Sequence, residues 1–353
     1  MNKKVDWNVE LSEYIKQGEP SQIEKTKAWG AAIGLQEVDG LKPSNYLVET
    51  AKEHIEGNID IYQVKDRINQ YYEALNDRRD VEKGTEEADK VSARIAEILS
   101  EKTFNFSITE LLNIHKRLFE GIFERAGVFR DYNFIKREWV LNGDTVIYSS
   151  FETIRDNLEY DFEQERNFLY RDLSFDDAIK HLCRFTSNMW QIHPFCEGNT
   201  RTTAVFLIKY LRTFGFNIND DVFAEHSWYF RNALVRANYK KFEKNIFEET
   251  LFLEKFFYNL LTESNYELKN RFMHIENIQN NEGVRRNNNY TLEEQAIINI
   301  LRITPNVTQE EIAIQIGKSV RTVKSRMMEM QERGLIERKN SKKNGEWVVS
   351  TNE

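Results

Sequence analysis

Proline is scarce in this chain, and that scarcity restricts the fold more than any other feature. Only four prolines and fifteen glycines occur in 353 residues. Proline and glycine are the residues that most often end helices and form turns, so their scarcity favours long helices over a β-sandwich with many turns. Hydrophobic residues make up 40% of the chain and charged residues 30%, which is enough for a packed core and unlike a disordered chain. We therefore predict a mainly α-helical protein of two or three domains.

Charge and cysteine content exclude several classes of protein. A net charge of −8 argues against a protein that coats nucleic acid with its whole surface, although it leaves room for a local basic module. Cys183 and Cys196 are too few for a disulfide framework. The first residues lack the apolar core of a signal peptide, and no apolar run has the length of a membrane span. We expect a reduced, cytoplasmic protein without membrane contact.

Composition divides the chain into four segments. Residues 1–84 contain short helical stretches joined by polar turns, with Ser44 placed to cap one helix and Gly57 to end it. Residues 85–275 form the longest apolar helical block, and residues 276–289 are a polar linker. Residues 290–353 form a further small domain.

Within residues 85–275, one stretch departs from the hydrophobic period of a helix. Asn142-Gly143 separates two β-rich runs within residues 138–150. Both residues of such a turn tolerate positive φ, so the pattern predicts a β-hairpin in a helical domain.

The loop from His193 to Arg201 (HPFCEGNTR) holds side chains that could take part in a chemical reaction. It lies between two apolar helices that would hold it rigidly. Gly198 and Asn199 begin a helix, where free N–H groups suit a phosphate. Glu197 could hold Mg²⁺ and Arg201 further phosphate oxygens, while His193 could take a proton from an alcohol. Together these groups favour phosphoryl or nucleotidyl transfer, although singly the histidine could end a helix and Glu-Gly-Asn could be a plain turn.

This loop resembles the signature of the Fic family, H-x-F-x-[DE]-G-N-G-R-x-x-R. Fic proteins mostly transfer AMP from ATP to a hydroxyl group of a target protein. The resemblance implies that His193 is the general base and that Glu197 binds Mg²⁺. It further implies that Gly198, Asn199, Thr200 and Arg201 bind the nucleotide phosphates.

The chain departs from the signature at two positions. Thr200 replaces the second glycine, which is tolerable if φ is negative there. Ala204 replaces the last arginine, which steadies the γ-phosphate in the family. The relative that transfers phosphate has lysine where this chain has Thr200, so the resemblance favours AMP transfer.

The resemblance also gives the hairpin and a later helix a role. Fic domains carry a hairpin flap that aligns the target by strand addition, and Val146, Ile147 and Tyr148 fit that flap. A plain surface hairpin is the alternative. Tyr229 and Asn232 are candidates for contacts with the adenine base, and packing is an equal alternative.

Residues 31–72 resemble the small antitoxin that inhibits Fic proteins through [ST]-x-x-x-E-[GN]. By that spacing the glutamate falls on Asp39 and the Ser/Thr position on Leu35. Glu56, before Gly57, is a second candidate. Because Asp39 is short and the partner arginine is Ala204, we expect inhibition to be weakened or lost.

Residues 290–353 resemble a winged helix-turn-helix. From Lys318 to Lys343 the sequence has nine Lys/Arg residues against three Glu, an excess that suits DNA phosphates. Arg321, Lys324 and Arg326 are predicted to face double-stranded DNA. Protein contact or a solvated charged face are the alternatives.

The sequence thus predicts a Fic-type helical core with a flap, a helical N-terminal region and a C-terminal winged helix. The leading function is a protein adenylyltransferase using ATP and Mg²⁺. The alternatives are a DNA-binding regulator with a weakly active core, transfer of another nucleotide-derived group, or removal of AMP. A homodimer is also considered.

Overall fold

The computed structural model describes residues 20–75, 80–171, 173–216, 218, 221–276, 290–339 and 345–350. Helices dominate these residues and the only sheet among them has two strands, as the low proline content predicts. None of the helices described has the length and apolar character needed to cross a membrane. The predicted linker lies outside the described residues except for Glu276.

Three helices and a short turn form the N-terminal region: α1 (Pro20–Gly34), a 3₁₀ turn (Leu35–Asp39), α2 (Asn45–Ile55) and α3 (Ile61–Ala74). The predicted cap is confirmed, because the Ser44 hydroxyl accepts a hydrogen bond from Leu47 N–H at 3.0 Å. Gly40, at φ +70°, ends the turn that carries Asp39.

Helix α4 (Asp80–Ser100) joins this region to the rest of the molecule. Buried Asp89 accepts hydrogen bonds from Ser44 N–H at 2.8 Å and from the Tyr72 hydroxyl at 2.7 Å. The predicted division between residues 84 and 85 falls inside this helix and remains a prediction. The N-terminal region and the core therefore share α4.

Six helices form the core: α5 (Ile108–Phe119), α6 (Ile154–Asn167), α7 (Phe175–Ile192), α8 (Asn199–Thr213), α9 (Asp221–Ala237) and α10 (Leu251–Leu261). Helix α8 is buried from Asn199 to Leu211, so it is the central helix. Ser174 caps α7, as the sequence predicts.

The predicted hairpin is only partly correct. Asn142 and Gly143 form the turn, with φ of +54° and +82°. The flanking residues do not form strands, because Val140 and Leu141 are buried within a 3₁₀ turn (Trp139–Leu141). The backbone pairing that remains is Glu138 N–H to Asp144 O, 2.9 Å, and Gly143 N–H to Glu138 O, 3.0 Å. The flap is therefore a tight turn followed by a segment without regular secondary structure, residues 145–150.

The C-terminal domain has the order of a winged helix: α11 (Leu292–Ile303), α12 (Gln309–Gln315), α13 (Val320–Glu332), β1 (Ile336–Lys339) and β2 (Glu346–Val349). The strands are antiparallel, with Ile336 opposite Val349. Thr291 and Thr308 form capping boxes with Glu294 and Glu311, as their spacing predicts. Phe175 N–H donates to Tyr290 O at 2.7 Å and attaches this domain to the core.

Candidate active site

The loop between α7 and α8 is fixed by its own side chains. His193 ends α7 in the left-handed region, at φ +50°. The Asn199 amide accepts from Phe195 N–H at 2.9 Å and donates to Phe195 O at 2.7 Å. Asn199 therefore holds the loop with one hydrogen bond from each polar atom of its amide. The phosphate contact expected of it stays a prediction.

Gly198 brings this loop against α5. Its φ is +71°, and a Cβ atom there would lie 2.4 Å from the Phe119 ring, so no other residue fits without displacement. The first bond of α8 runs from Thr202 N–H to Gly198 O. The N–H groups of Asn199, Thr200 and Arg201 find no acceptor among the described residues. Unpaired N–H groups at the start of a helix suit an anion, so the phosphate site expected here stays a prediction.

His193 is enclosed and neutral. The side chain is 4% exposed, and its ring lies 4.2 Å from the Tyr148 ring and 5.4 Å from those of Phe134 and Trp190. Burial lowers the pKa of His193 well below its usual value, and the nearby charge of Lys136 adds to this effect. No described group bonds Nδ1. A neutral imidazole at neutral pH has the form that a general base requires.

Glu197 is exposed, and no described group bonds its carboxylate. Its backbone is held by His115: because His115 Nδ1 accepts from Gly127 N–H at 2.8 Å, Nε2 carries the proton and donates to Glu197 O at 3.1 Å. Burial lowers the pKa of His115 to about 4, which keeps that tautomer neutral. One free carboxylate beside a phosphate site fits Mg²⁺, which binds few protein carboxylates and relies on substrate phosphates. No cluster of three metal-ligating side chains occurs in the described part of the chain.

Arg201 is held by acids. Its side chain is 2% exposed, and Nε lies 2.9 Å from Asp39 Oδ2 in an ion pair that is not aligned as a hydrogen bond. Nη2 donates to Glu87 Oε1 at 2.7 Å, and Nη1 to Gln36 Oε1 at 3.0 Å. Asp39 therefore has a cation partner, which is Arg201 and not the signature position occupied by Ala204. The weakening of inhibition expected from the sequence stays a prediction.

The two departures from the signature fit the helix. Thr200 has negative φ, and its hydroxyl accepts from Trp190 Nε1 at 3.0 Å. Ala204 is fully buried and contributes no charge. Glu56, the second inhibitory candidate, is exposed and accepts from Asn58 Nδ2 at 3.0 Å.

The three flap residues lie in different surroundings. Val146 is buried, Ile147 is 81% exposed, and Tyr148 covers His193. Buried Arg130 ties the flap to the loop by donating to Ser149 O and, at 2.8 Å, to His193 O. Arg231 binds Glu138 through two contacts of 2.7 and 2.9 Å and fastens the base of the flap to α9.

The two candidates for base contacts are packed inside. Tyr229 donates to Phe252 O at 3.3 Å, and its ring packs on Phe256, which favours the packing alternative. Asn232 donates to Asn270 Oδ1 at 2.8 Å, while its own Oδ1 has no partner among the described residues.

The predicted DNA-facing residues also differ. Arg321 and Lys324 are exposed, and Lys324 pairs with Glu310 at 3.3 Å. Arg326 does not face solvent: its side chain is 18% exposed and pairs with Glu329 at 2.9 Å and with buried Glu294 at 3.9 Å. It borders the buried stripe of Val323 and Met327, which explains the error.

Several residues of the site are absent from the sequence prediction: Gln36, Glu87, His115, Phe119 and Arg130. Each acts through a contact with a residue far away in the chain, so no local pattern reveals it. The nearest signal is Gly198, since a glycine before a helix implies a close neighbour.

Two parts of this chain match known protein families. Residues 105–211 match the model of the Fic/DOC family, and residues 294–337 match a winged helix-turn-helix DNA-binding model. Protein adenylyltransferase VbhT of Bartonella schoenbuchensis is 26% identical over 152 residues, which cover 40% of this chain and 30% of the relative's length. A crystal structure of a Fic family protein from Desulfovibrio desulfuricans aligns over 100% of this chain and 98% of its own, with 12% identity and a TM-score of 0.40. The chain therefore contains a Fic/DOC domain followed by a winged helix-turn-helix domain.

Proposed function

We propose that this protein transfers AMP from ATP to a hydroxyl group on a target protein. The observation that carries the proposal is the convergence on one loop of a neutral buried imidazole, an exposed carboxylate and unpaired helix N–H groups. The partial match to an adenylyltransferase supports the choice of AMP.

In the proposed reaction the acceptor oxygen attacks the α-phosphorus of ATP. The bond from that phosphorus to the bridging oxygen breaks, pyrophosphate leaves, and His193 takes the hydroxyl proton. The N–H groups of Asn199, Thr200 and Arg201 hold the phosphate oxygens where negative charge develops. Glu197 would hold Mg²⁺, which would neutralise phosphate charge.

We further propose that the described arrangement is an inhibited one. Asp39 and Glu87 neutralise Arg201, the cation that the phosphates of ATP would need. Two carboxylates beside this site also repel a triphosphate. Release of Arg201 would require the turn at residues 35–39 to move.

The test is incubation with ATP labelled at the α-phosphate, with Mg²⁺, using the wild type and His193→Ala. We expect label on the protein or on an added proteome, and its loss in His193→Ala while ATP binding persists. Label carried from γ-labelled ATP instead would identify phosphate transfer. Release of AMP from modified protein would identify the reverse reaction.

The second candidate is a DNA-binding regulator with a weakly active core. It is favoured by buried Ala204 in place of the signature arginine and by the exposed Arg321 and Lys324 on α13. Absence of label in every nucleotide assay, together with sequence-dependent DNA binding, would favour this candidate over the transferase.

A further inference from the structure

A cavity of about 360 Å³ lies where the N-terminal region meets the core, and residues of α3, α4 and the end of α5 line it. Its volume is at the small end of the range for small-molecule sites, about 300–1,000 Å³. The lining residues lie outside both the loop at residues 193–201 and the turn at residues 35–39. We call it the basic cavity, because its charged lining has four cations and two carboxylates: Lys65, Lys90, Arg94, Arg117, Glu97 and Glu120.

One of the four cations lacks a carboxylate partner. Ion pairs neutralise the other three, at 2.7 Å for Lys65, 2.6 Å for Lys90 and 2.5 Å for Arg117. Arg94 instead donates from Nη1 to Leu118 O at 2.9 Å, and no carboxylate of the described residues lies within ion-pair distance of it. Its Nε and Nη2 atoms have no hydrogen-bond partner in the described part of the chain. Two donors of one guanidinium are therefore unused at the cavity.

The surroundings of Arg94 favour an anion. The side chain is half-buried, and burial lowers the pKa of Arg94. A cation that has lost part of its hydration is stabilised by a negative charge placed beside it. The planar guanidinium matches two oxygens of a phosphate, which makes phosphate the anion that suits this side chain best.

The uncharged part of the lining suits the rest of an organic molecule. Asn69 is exposed and has no hydrogen-bond partner in the described ranges, so its amide can donate to a ligand. Ile68 and Ala93 add apolar surface to the lining. Inorganic phosphate would leave that apolar surface uncovered, whereas a phosphate attached to a small organic group would cover it.

We propose that the basic cavity binds a small organic phosphate, with Arg94 holding the phosphate oxygens and Asn69 donating beside it. The site is separate from the candidate active site, and the inference does not depend on AMP transfer. Its position has a consequence, because α4 also carries Glu87, which binds Arg201 at 2.7 Å. A ligand in the basic cavity would thus contact the helix that restrains the candidate active site.

The test is isothermal titration of the full-length protein with ribose 5-phosphate, inorganic phosphate and ribose, in the absence of ATP and Mg²⁺. We expect ribose 5-phosphate to bind most tightly, inorganic phosphate more weakly, and ribose not measurably. Arg94→Gln should weaken the binding of ribose 5-phosphate by about tenfold or more, because hydrogen bonds to a charged group are lost.

Asn69→Asp tests the site without removing the bond from Arg94 to Leu118. The added carboxylate should repel the phosphate and weaken binding severalfold, and the exposed position should leave the fold intact. Asn113→Asp is the matched control, because Asn113 is exposed on α5, has no partner in the described ranges and does not line the cavity. It should bind ribose 5-phosphate like the wild type.

The inference would be overturned by an absence of binding, by either of the other two probes binding as tightly as ribose 5-phosphate, or by unchanged binding in Asn69→Asp. Loss of binding in Gly198→Ala but not in Asn69→Asp would place the phosphate at the loop of the candidate active site and would also overturn it. Binding that is weakened in Arg94→Gln and Asn69→Asp but not in Asn113→Asp would support the basic cavity, whether or not the protein transfers AMP.

Discussion

Asp39 and Arg201 form an ion pair of 2.9 Å between a turn of the N-terminal region and the first turn of the central helix. The pair joins the residue that the resemblance suggests as an inhibitor to the residue that it suggests as a phosphate ligand. The Arg201 side chain is 2% exposed and that of Asp39 26%, so water is kept from the arginine side of the pair only. The state of this pair should therefore determine how readily a nucleotide binds.

Replacing Asp39 by alanine should increase nucleotide affinity. Arg201 would lose one of its two carboxylates and become available to phosphate, so we expect ATP to bind about tenfold more tightly, a gain of about 1.4 kcal/mol. The AMP transfer rate should rise with it. Isothermal titration with ATP and Mg²⁺ measures the first effect. Glu37→Ala is the control, because Glu37 is exposed on the same turn. Equal affinity in both variants would show that Asp39 does not restrain the site.

Arg201 should also be released by a substitution outside the candidate active site, at Asp89. Asp89 is buried and accepts from Ser44 and Tyr72, which connects α2 and α3 to the helix that carries Glu87. Asp89→Asn would leave donors facing donors, at a cost of about 1–3 kcal/mol in the free energy of unfolding. We expect a lower midpoint in urea together with tighter ATP binding.

Tyr72→Phe should have a smaller effect, because it removes only one hydrogen bond to Asp89. We expect it to lower the free energy of unfolding by about 1 kcal/mol. Burial raises the pKa of Asp89, so the contribution of this group to stability declines as pH rises through that pKa. If Asp89→Asn lowered stability without changing ATP affinity, the N-terminal region would not act through α4.

Gly198→Ala should disrupt the phosphate site. Alanine would be held at φ +71°, with its Cβ 2.4 Å from the Phe119 ring. The left-handed conformation alone costs about 1–2 kcal/mol, and displacement of Phe119 adds to it. We expect lower stability by thermal unfolding and loss of ATP binding. Gly317→Ala is a matched control, because Gly317 has φ +65° and nothing within 4 Å of the added atom. It should show only the conformational cost.

The pH dependence of transfer should report the burial of His193. Because its pKa lies well below the usual 6.5, the imidazole stays neutral, and active as a base, at pH values where an exposed histidine is protonated. The acid limb of kcat/KM should therefore lie below pH 6.5. The contribution of His193 to the free energy of unfolding follows the same direction. It is complete above the pKa of His193 in the unfolded chain and is lost as pH falls through its pKa in the folded protein. An acid limb at or above pH 6.5 would contradict the assignment of His193 as an enclosed base.

Lys136→Gln distinguishes the effect of burial on the pKa of His193 from the effect of the nearby charge. Lys136 is the second cause of the lowered pKa, so its removal should move the acid limb to higher pH. His193→Ala should reduce the transfer rate by about 10²–10⁴-fold at every pH, the usual contribution of a general base.

Local signals were readable in this chain, and distant contacts were not. The capping box of Thr291 and Glu294 spans one helical turn, so the sequence alone reveals it. The turn at Asn142-Gly143 was equally predictable from the sequence. The residues before it do not form a strand, because Val140 and Leu141 are buried in a 3₁₀ turn. The ion pair between Asp39 and Arg201 depends on how the N-terminal region packs on α8. A motif alignment instead pairs Asp39 with the position of Ala204.

The winged helix offers a comparison within one helix. Arg321 is exposed on α13, whereas Arg326 is bound to Glu294 and Glu329. If α13 is the recognition helix, Arg321→Ala should weaken DNA binding and reduce the slope of log K against log salt by about 0.9, the value for one lost phosphate contact. Arg326→Ala should leave that slope unchanged and lower stability only slightly, because buried Glu294 keeps its closer partner Arg333 at 2.8 Å. Fluorescence anisotropy with duplex DNA at several salt concentrations, together with thermal unfolding, distinguishes the two effects. Equal slopes for the wild type and both variants would mean that this face of α13 does not contact the DNA backbone.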